Sequence, residues 1–561
     1  MSLRQLLTYA HEDPAVDALN EAAAQSPQRV FVSSSLRPYL LAALADLDLR
    51  RPALIVAGDD RQARDLAADL KQFLHPRPVH LYPARGVAYE SHLAPPPHLT
   101  GLRIAALDAL RAEPDPQRGA AVVVAGAVAL AEKVPDPELR PHGFAIQKGE
   151  LLDLDETAER LVGCGYHRVD QVEERGQFAL RGDILDVYPA TEERAVRCEL
   201  FDVEVERLTF FSTFTQRSLE EVETVAIEPA AELAPEHREL AEIAAGTEDG
   251  ERPDVAEVLP VDRFGEVLSL IPEGGLVAIA AEEELAPSLR DYWDDVTAAF
   301  HDADAHHLYV HPEQLEGTLA ERASMSLSSI SGDQPHTFRA QAADTAARSL
   351  KAAEPELEKL IRSGYRTIIA WARTGEAERA AYNLDRVKAT FLDGNEAPHD
   401  PGLHFASSSL REGFLSPSLK LAIIPEHRLL RRRRSDQRGG PRTGAGAMAS
   451  FTDLRAGVTV VHEDHGIARF TRFETKTVGD VTRDYLELEF RDGDRVFVPS
   501  DQIHKISRYV GAESGETQLS KLGGKQWEQQ KLRARRAAEA LAGELINLYA
   551  ERKRRAGYAF P

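Results

Sequence analysis

The segment Gly165–Pro189, GYHRVDQVEERGQFALRGDILDVYP, is the most informative stretch of this 561-residue chain. Three arginines alternate in it with five acidic residues, a pattern typical of a specific charged protein interface rather than a diffuse nucleic-acid-binding patch. The pairs Arg175-Gly176 and Arg181-Gly182 are equally common in the turns of a solvated hairpin. Taken alone, the segment leaves both interpretations open.

Four short apolar runs before this segment predict buried parallel strands. They are RVFVSS at 29–34, ALIVAG at 53–58, PVHLYP at 78–83 and AAVVVAG at 120–126. Between the second and third runs, Arg61–Leu74 places its large apolar residues on one helical stripe, as a crossover helix does. Residues 1–130 are therefore predicted to form an α/β domain.

From about Gly143 the pattern changes to alternating polar and apolar residues, most clearly in RCELFDVEVERLTFF at 197–211. Such alternation predicts a mostly antiparallel insert, which we place at 131–215. Strand-like segments at Leu276–Ala281 and Leu308–His311 then restore the α/β pattern. We expect residues 216–323 to close the first domain around the insert.

A second α/β domain is predicted at 336–428. Its predicted elements are a helix at Gln341–Ser363, a strand at Arg366–Ala372, a helix at Glu376–Phe391 and a strand at Leu419–Pro425. The segments 324–335 and 429–451 flank it and are rich in serine, glycine and proline or in like charge, which predicts linkers. The run Arg431–Arg434 is more typical of a solvated linker than of a nucleic-acid contact.

Residues 452–512 predict a compact β module, and Asp492-Gly493 between alternating segments is a strong hairpin signal. His462 and His465 are three residues apart, so a turn before Gly466 is favoured over a metal site, and no metal is assigned. Residues 521–557 predict a long basic helix with an apolar stripe.

Composition limits the possible classes of protein. Hydrophobic residues make up 43% and charged residues 28%, as in ordinary globular domains. The net charge of −24 is uneven, because residues 428–561 carry eight more basic than acidic residues, so the two parts are expected to have different partners. Cys164 and Cys198 are the only cysteines, and no apolar run has membrane-spanning length, which together predict a reducing, cytoplasmic location.

No catalytic motif is present in the sequence. The position of a phosphate-binding loop, after the first predicted strand, has Ser33–Pro38 (SSSLRP), which lacks the glycines and the lysine of such a loop. Gly523-Gly524-Lys525 does not follow a buried strand, and Cys164 between two glycines is more typical of a small buried cysteine than of a nucleophile. Whether the chain is an enzyme stays open, and no cofactor is predicted for it.

The Gly165–Pro189 segment resembles the UvrA-binding domain that the excision-repair subunit UvrB shares with the transcription-repair coupling factors. The β module, with VVHEDHGIARF, DYLELEF and FVPSDQIHKISRY, resembles the RNA-polymerase-interacting domain of those factors and of CarD-type regulators. Their order makes the whole chain similar to the N-terminal half of the coupling-factor family. The resemblance implies a UvrB-like module, a further α/β domain, a CarD-like module and a basic relay helix.

The resemblance also implies partners, namely UvrA and the β subunit of a stalled RNA polymerase, in transcription-coupled nucleotide excision repair by a monomeric protein. The residues that match the UvrA-contacting motif are Arg168, Asp170, Arg175, Phe178, Arg181, Asp183 and Tyr188.

For the polymerase, an exposed strand near Arg472–Val478 is the expected edge, with contacts from Arg472, Glu474, Lys476 and Val478. Lys476 departs from the apolar contact that family members can present. Arg533, Arg535 and Arg536 are the expected DNA-facing residues, with weak DNA binding.

Two other classes of protein remain as alternatives. A UvrB-type excision-repair ATPase would need the phosphate loop that Ser33–Pro38 lacks. A stand-alone CarD-like transcription regulator would not need the Gly165–Pro189 motif. In the family that the chain resembles, ATP and Mg²⁺ serve a translocase motor with no counterpart in these 561 residues, so the chain is expected to be a fragment, a truncated product or half of a split gene.

Overall fold

The fold is taken from a computed structural model. It describes residues 3–86, 95–213, 216, 218–235, 259–299, 305–343, 347, 349–394, 396–430, 459–462, 465–478, 481–499, 506–508 and 519–521. The chain divides into two compact units, 1–433 and 434–561. The predicted basic linker after residue 430 and the predicted long helix after Lys521, with Arg533, Arg535 and Arg536, lie outside the described residues.

The α-helices of the described ranges all belong to the first unit. They are α1 Thr8–His11, α2 Pro14–Gln25, α3 Arg37–Asp46, α4 Asp60–Leu74, α5 Pro97–Arg111, α6 Ala127–Ala131, α7 Leu154–Gly163, α8 Glu282–Ala299, α9 Ala305–Leu308, α10 Pro312–Arg322, α11 Leu350–Arg362, α12 Thr374–Tyr382 and α13 Glu426–Leu429. Among the residues described, no helix combines the length and the apolar character that crossing a bilayer requires.

The strands form three large sheets and two small pairs. They are β1 Gln28–Val32, β2 Ala53–Ala57, β3 Val79–Tyr82, β4 Val122–Gly126, β5 Val134–Pro135, β6 Phe144–Gln147, β7 His167–Arg168, β8 Gln177–Arg181, β9 Ile184–Val187, β10 Ala195–Phe201, β11 Glu204–Phe211, β12 Ser218–Glu221, β13 Thr224–Ile227, β14 Phe264–Gly265, β15 Leu276–Ile279, β16 Met325–Ser328, β17 His336–Phe338, β18 Gln341–Ala342, β19 Arg366–Trp371, β20 Ala389–Phe391, β21 Gly402–Ser407, β22 Phe414–Ser416 and β23 Leu421–Pro425. The second unit has a fourth large sheet, built from β24 Thr459–His462, β25 Gly466–Val478, β26 Val481–Glu489, β27 Arg495–Pro499 and β28 Ile506–Arg508.

The first sheet is parallel and seven-stranded, in the order β17-β1-β16-β15-β2-β4-β3. The four predicted early strands are confirmed, and so is the crossover helix, α4, whose Leu66, Leu70 and Phe73 are buried against the sheet. Strands β15 to β17 come after the insert, as expected for a domain that the insert splits.

Two predictions around this sheet are wrong. The segment 324–335, predicted as a linker, contains β16, which lies between β1 and β15. Its serines alternate with the buried Met325 and Leu327, and this polar composition hides a strand buried on both sides. Leu308–His311 was predicted as a strand, but Leu308 ends the short helix α9, and Tyr309 makes only an isolated bridge to Glu132.

The insert is mostly antiparallel, as predicted. Its six strands run in the order β12-β11-β10-β9-β8-β7, and the separate pair β6 and β13 packs with α7 on one face. The insert continues beyond its predicted end at residue 215, because β12 pairs with β11 and β13 pairs with β6. The insert therefore begins and ends at this second pair of strands.

The second α/β domain has a six-stranded sheet in the order β18-β22-β23-β19-β21-β20. Helix α11 begins at Leu350, later than predicted, because Gln341 and Ala342 belong to an edge strand. Helix α12 ends at Tyr382, and the rest of its predicted range contains β20. The short apolar runs of β21 and β22 were not predicted.

Helix α4 joins the two α/β domains into one packed body. Its Asp69 carboxylate accepts hydrogen bonds from the backbone amides of Arg411 (2.6 Å) and Glu412 (3.0 Å), and Arg411 also pairs with Asp65 at 2.6 Å. Beside them the ring of Tyr39 contacts Phe414, with centroids 5.0 Å apart. The two domains thus share one hydrophobic core, and the segment between them does not act as a flexible linker.

In the second unit the sheet order is β27-β26-β25-β24-β28. The predicted hairpin is confirmed: β26 and β27 are antiparallel neighbours, and Gly493 between them has φ +81°. Leu486 and Leu488 are fully buried, as their alternation predicts. The His462 ring stacks on His465 at 4.6 Å across the turn before Gly466.

Candidate protein-docking surfaces

The insert sheet has one face turned toward its core and one turned outward. Phe178, Leu185 and Val187 pack on the inner face with α7, whereas Ala179 and Asp186 belong to the outer face. Directly paired residues share a face, and side chains alternate along each strand. Of the seven residues predicted to contact UvrA, three lie in strands, and the register assigns a face to these three: Arg168, Phe178 and Arg181.

Arg168 and Arg181 are both exposed but do not share a face. Arg168, in the edge strand β7, is paired with Phe178. Arg181 lies three positions beyond Phe178 in β8 and therefore on the outer face. A partner that covers the outer face can reach Arg168 only around the β7 edge.

Arg181 is held by a neighbouring segment. Its Nε donates to the backbone oxygen of Asp170 at 3.1 Å, and its Nη2 donates to the same oxygen. Asp183 is exposed two residues further on, after Gly182, whose φ of +60° forms the turn between β8 and β9. Arg181, Asp170 and Asp183 thus form one exposed charged group, which we call the Arg181 turn.

Arg175, in the loop before β8, and Tyr188, in the loop after β9, form a second group. The Arg175 Nε donates to the Glu192 backbone oxygen at 2.7 Å, and the guanidinium lies 5.6 Å from the centre of the Tyr188 ring. The Tyr188 hydroxyl donates to the Glu193 backbone oxygen at 2.8 Å. Both side chains are half-buried and fix this loop.

Phe178 has no exposed surface. Its side chain lies in the core between the sheet and α7, where burying an aromatic ring stabilises the domain. In this core the Phe178 ring supports the strand that carries Arg181, and a direct contact of the ring with a partner stays a prediction.

The outer face carries a largely buried ion pair that the sequence does not indicate. Arg197 in β10 donates through Nε and Nη2 to the two oxygens of Asp186 in β9, both at 2.7 Å, and its guanidinium lies 4.6 Å from the centre of the Phe211 ring. This hydrogen bonding to Asp186 raises the pKa of Arg197. Both residues are visible in the sequence as charged positions, but their pairing depends on which strands are neighbours and in which register.

The segment Ser33–Pro38, at the end of β1, is occupied by protein contacts. The Ser33 hydroxyl accepts a hydrogen bond from the Ala340 amide at 3.0 Å. Arg37 lies 3.5 Å from Glu283, which also accepts from the Ser329 hydroxyl at 2.6 Å. Glu282, Glu283 and Glu284 begin α8 at this edge of the sheet, and their carboxylates oppose an incoming triphosphate.

A buried charged network ties the insert to the first domain. Arg103 of α5, 1% exposed, contacts Glu132 at 2.7 Å and Glu232 at 3.0 Å. Glu232 follows β13, where the chain returns from the insert, and also pairs with Arg85 at 2.5 Å. This network fixes the returning segment of the insert to the edge of the parallel sheet.

In the second unit, the distal part of β25 has one unpaired backbone edge among the described residues. Arg472, Glu474, Lys476 and Val478 lie opposite Glu487, Tyr485, Arg483 and Val481 of β26. On the other side, β24 pairs only with Gly466–Arg469. Backbone groups along such an edge can accept a further strand.

Comparison with known proteins matches two regions of the chain. Residues 144–233 match the family described as the UvrB interaction domain, and residues 454–510 match the CarD-like/TRCF RID domain. The first match coincides with the insert between β6 and the segment that carries Glu232. The second covers the sheet of the second unit.

Curated relatives match nearly the whole chain. The transcription-repair-coupling factor of Bacillus subtilis is 28% identical over 94% of this chain and 49% of its own length. That of Mycobacterium tuberculosis is 29% identical over 99% and 50%, and that of Staphylococcus aureus 26% identical over 99% and 51%. The chain spans about half the length of the curated relatives it matches. The chain is therefore similar to the N-terminal half of the transcription-repair-coupling factors.

Proposed function

We propose that this chain is the adaptor portion of a transcription-repair-coupling factor, which joins a stalled RNA polymerase to UvrA and so starts nucleotide excision repair. The observation that carries the proposal is the presence, in one chain, of a UvrB interaction domain and a CarD-like RID domain. A stand-alone CarD-like regulator would not need the insert. A UvrB-type ATPase would have to bind a nucleoside triphosphate at Ser33–Pro38, where the carboxylates that begin α8 would repel it.

UvrA is proposed to contact the outer face of the insert at the Arg181 turn, with Arg175, Tyr188 and, around the β7 edge, Arg168 as further contacts. A guanidinium held in place gives two-pronged hydrogen bonds to a carboxylate at little cost in side-chain entropy. Two hydrogen bonds to the Asp170 backbone oxygen hold the Arg181 guanidinium in place, and its Nη1 group stays available to a partner.

The RNA polymerase β subunit is proposed to add a strand to the distal part of β25. Main-chain hydrogen bonds would then supply the affinity, and the side chains of Arg472, Glu474, Lys476 and Val478 the specificity. Both contacts are between protein surfaces, so the adaptor role needs neither a metal ion nor a nucleotide. We propose that the chain acts as a monomer in the cytoplasm, where Cys164 and Cys198 stay reduced, and that it binds DNA at most weakly.

The adaptor role predicts a bridged complex. Immobilised RNA polymerase is expected to retain purified UvrA only when the full chain is added, as measured by surface plasmon resonance. Separate injections of chain and UvrA give the two binary interactions as controls. Retention of UvrA that is independent of the chain, or binding of either partner without bridging, would contradict the adaptor role.

Arg181→Ala is expected to weaken UvrA binding by about 30-fold, the typical effect of losing a central arginine from an interface. The side chain is exposed, so the unfolding free energy of the chain should change little. Arg118→Ala, at an exposed arginine in the loop before β4, is the matched control. Isothermal titration of UvrA into each variant measures the effect, and equal affinities for wild type and Arg181→Ala would remove Arg181 from the interface.

A further inference from the structure

The insert exposes an apolar corner formed by Leu151, Phe201 and Val203. Their exposed fractions are 76%, 75% and 46%. Eight large hydrophobic side chains are exposed in the described part of the chain, and these three lie together. Apolar groups that cluster on a protein surface usually mark a contact site, whereas single ones are common and need no explanation.

The register of the sheet brings the three residues together. Phe201 pairs with Glu204 across the turn between β10 and β11, and Glu204 also forms a bridge with Leu151. The Leu152 amide donates to the Val203 backbone oxygen at 2.7 Å. The corner is therefore part of the hydrogen-bonded framework of the insert and is not a loose loop.

The corner lies at the two-residue turn of the hairpin formed by β10 and β11. Asp202, between Phe201 and Val203, has φ 60°, in the left-handed region that aspartate adopts in such turns. The turn holds two apolar side chains outward on either side of a carboxylate.

The corner is continuous with the Arg181 turn. The Leu200 amide donates to the backbone oxygen of Asp183, in the Arg181 turn, at 2.9 Å. Phe201 is the next residue after Leu200 and therefore lies beside this turn. Asp183, Asp202 and Glu204 are all exposed around the corner. A surface that complements it needs an apolar depression bordered by basic side chains.

We propose that this corner is the apolar anchor of the insert's contact with UvrA, and that it enters a pocket on UvrA bordered by lysine or arginine. The inference rests on the proposed function, since it deepens the contact assigned to the Arg181 turn. An arginine orients and specifies the partner through its charge, whereas an aromatic residue that enters a pocket next to it adds apolar binding energy. Phe201 is the aromatic residue that enters the pocket beside Arg181.

The test compares Phe201→Ser with wild type in titrations of the full chain with purified UvrA. Binding is expected to weaken at least about tenfold, and Phe201→Leu, which stays apolar, is expected to keep most of the affinity. Tyr382→Ser, at a ring that is 91% exposed on α12 of the second α/β domain, is the matched control and should bind like wild type. The thermal midpoint of Phe201→Ser should equal that of wild type, because the ring is exposed.

The outcomes separate the two proposals. If Phe201→Ser binds like wild type while Arg181→Ala binds weakly, the apolar anchor is wrong and the UvrA contact stands. If wild type does not bind UvrA, both proposals fall. If Phe201→Ser leaves UvrA binding unchanged but abolishes self-association in sedimentation, the corner contacts a second copy of the chain and the anchor is again wrong.

Discussion

Arg103→Ala is expected to lower the free energy of unfolding of the first unit by about 3–5 kcal/mol, the usual cost of removing one partner from a buried ion pair. Arg103 is 1% exposed, and the side chains of Glu132 and Glu232, which it bridges, are 3% and 10% exposed. Its Nη1 also donates to the Pro83 backbone oxygen at 2.9 Å. The substitution leaves one carboxylate with fewer donors and the other dependent on Arg85 alone.

The pKa values in this network show what the arginine does. Burial raises the pKa of Glu132, and the nearby Arg103 only partly opposes this. Burial would also raise the pKa of Glu232, but Arg85 and Arg103 together lower it below its usual value. Loss of Arg103 is therefore expected to raise the pKa of both carboxyl groups, because one of their stabilising cations is gone.

Urea unfolding followed by tryptophan fluorescence measures the effect of Arg103→Ala. Arg111→Ala, at the exposed last residue of the same helix, is the control and should change the unfolding free energy by less than about 0.5 kcal/mol. An equally small change for Arg103→Ala would show that the network does not hold the insert in place.

Asp69 is expected to make the stability of the first unit depend on pH. Burial raises its pKa to about 7, even though the backbone amides of Arg411 and Glu412 favour the ionised form. In the unfolded chain an aspartate has a pKa near 4. The folded state thus binds the proton more tightly, and the stability that this contributes is complete below about pH 4 and is lost as the pH rises to about 7.

The comparison with Asp69→Asn isolates this effect, because asparagine does not titrate. The unfolding free energy of wild type minus that of Asp69→Asn is expected to fall by something on the order of 4 kcal/mol between pH 4 and pH 7, and to stay level above it. Asp65→Asn, one turn earlier on α4 and in contact with Arg411, is the control for the neighbouring charges. A difference that does not vary with pH would show that Asp69 keeps an ordinary pKa in the fold.

The sequence predicts the parts of the fold that depend on strong local patterns. The early strands are continuous apolar runs, and α4 has a complete apolar stripe, so local periodicity suffices to find them. Strand β16 could not be found in this way, since serines occupy half of its positions and its burial depends on two strands distant in the sequence. Helix α11 was predicted too long because Gln341 and Ala342 have no local signal against a helix.

The sequence identifies the charged residues of the candidate site but not their positions relative to one another. The arginines and acids of Gly165–Pro189 are where the sequence indicates, yet only the register shows that Arg168 and Arg181 lie on opposite faces. The burial of Phe178 and the pairing of Arg197 with Asp186 likewise depend on which strands are neighbours. The exposure of Phe201 could not be predicted, because the sequence of an alternating strand does not distinguish an exposed aromatic residue from a buried one.

The position of β16 has a consequence for how the chain folds during synthesis. β1 pairs with β16 from Gln28↔Met325 onward, so almost 300 residues separate two adjacent strands. At about 5–20 residues per second, a ribosome needs roughly 15–60 s to make that length. During this interval the insert can fold as a unit, whereas β1 waits for its neighbours β16 and β17. We therefore expect the nascent chain to depend on chaperones until Ser328 has left the ribosome.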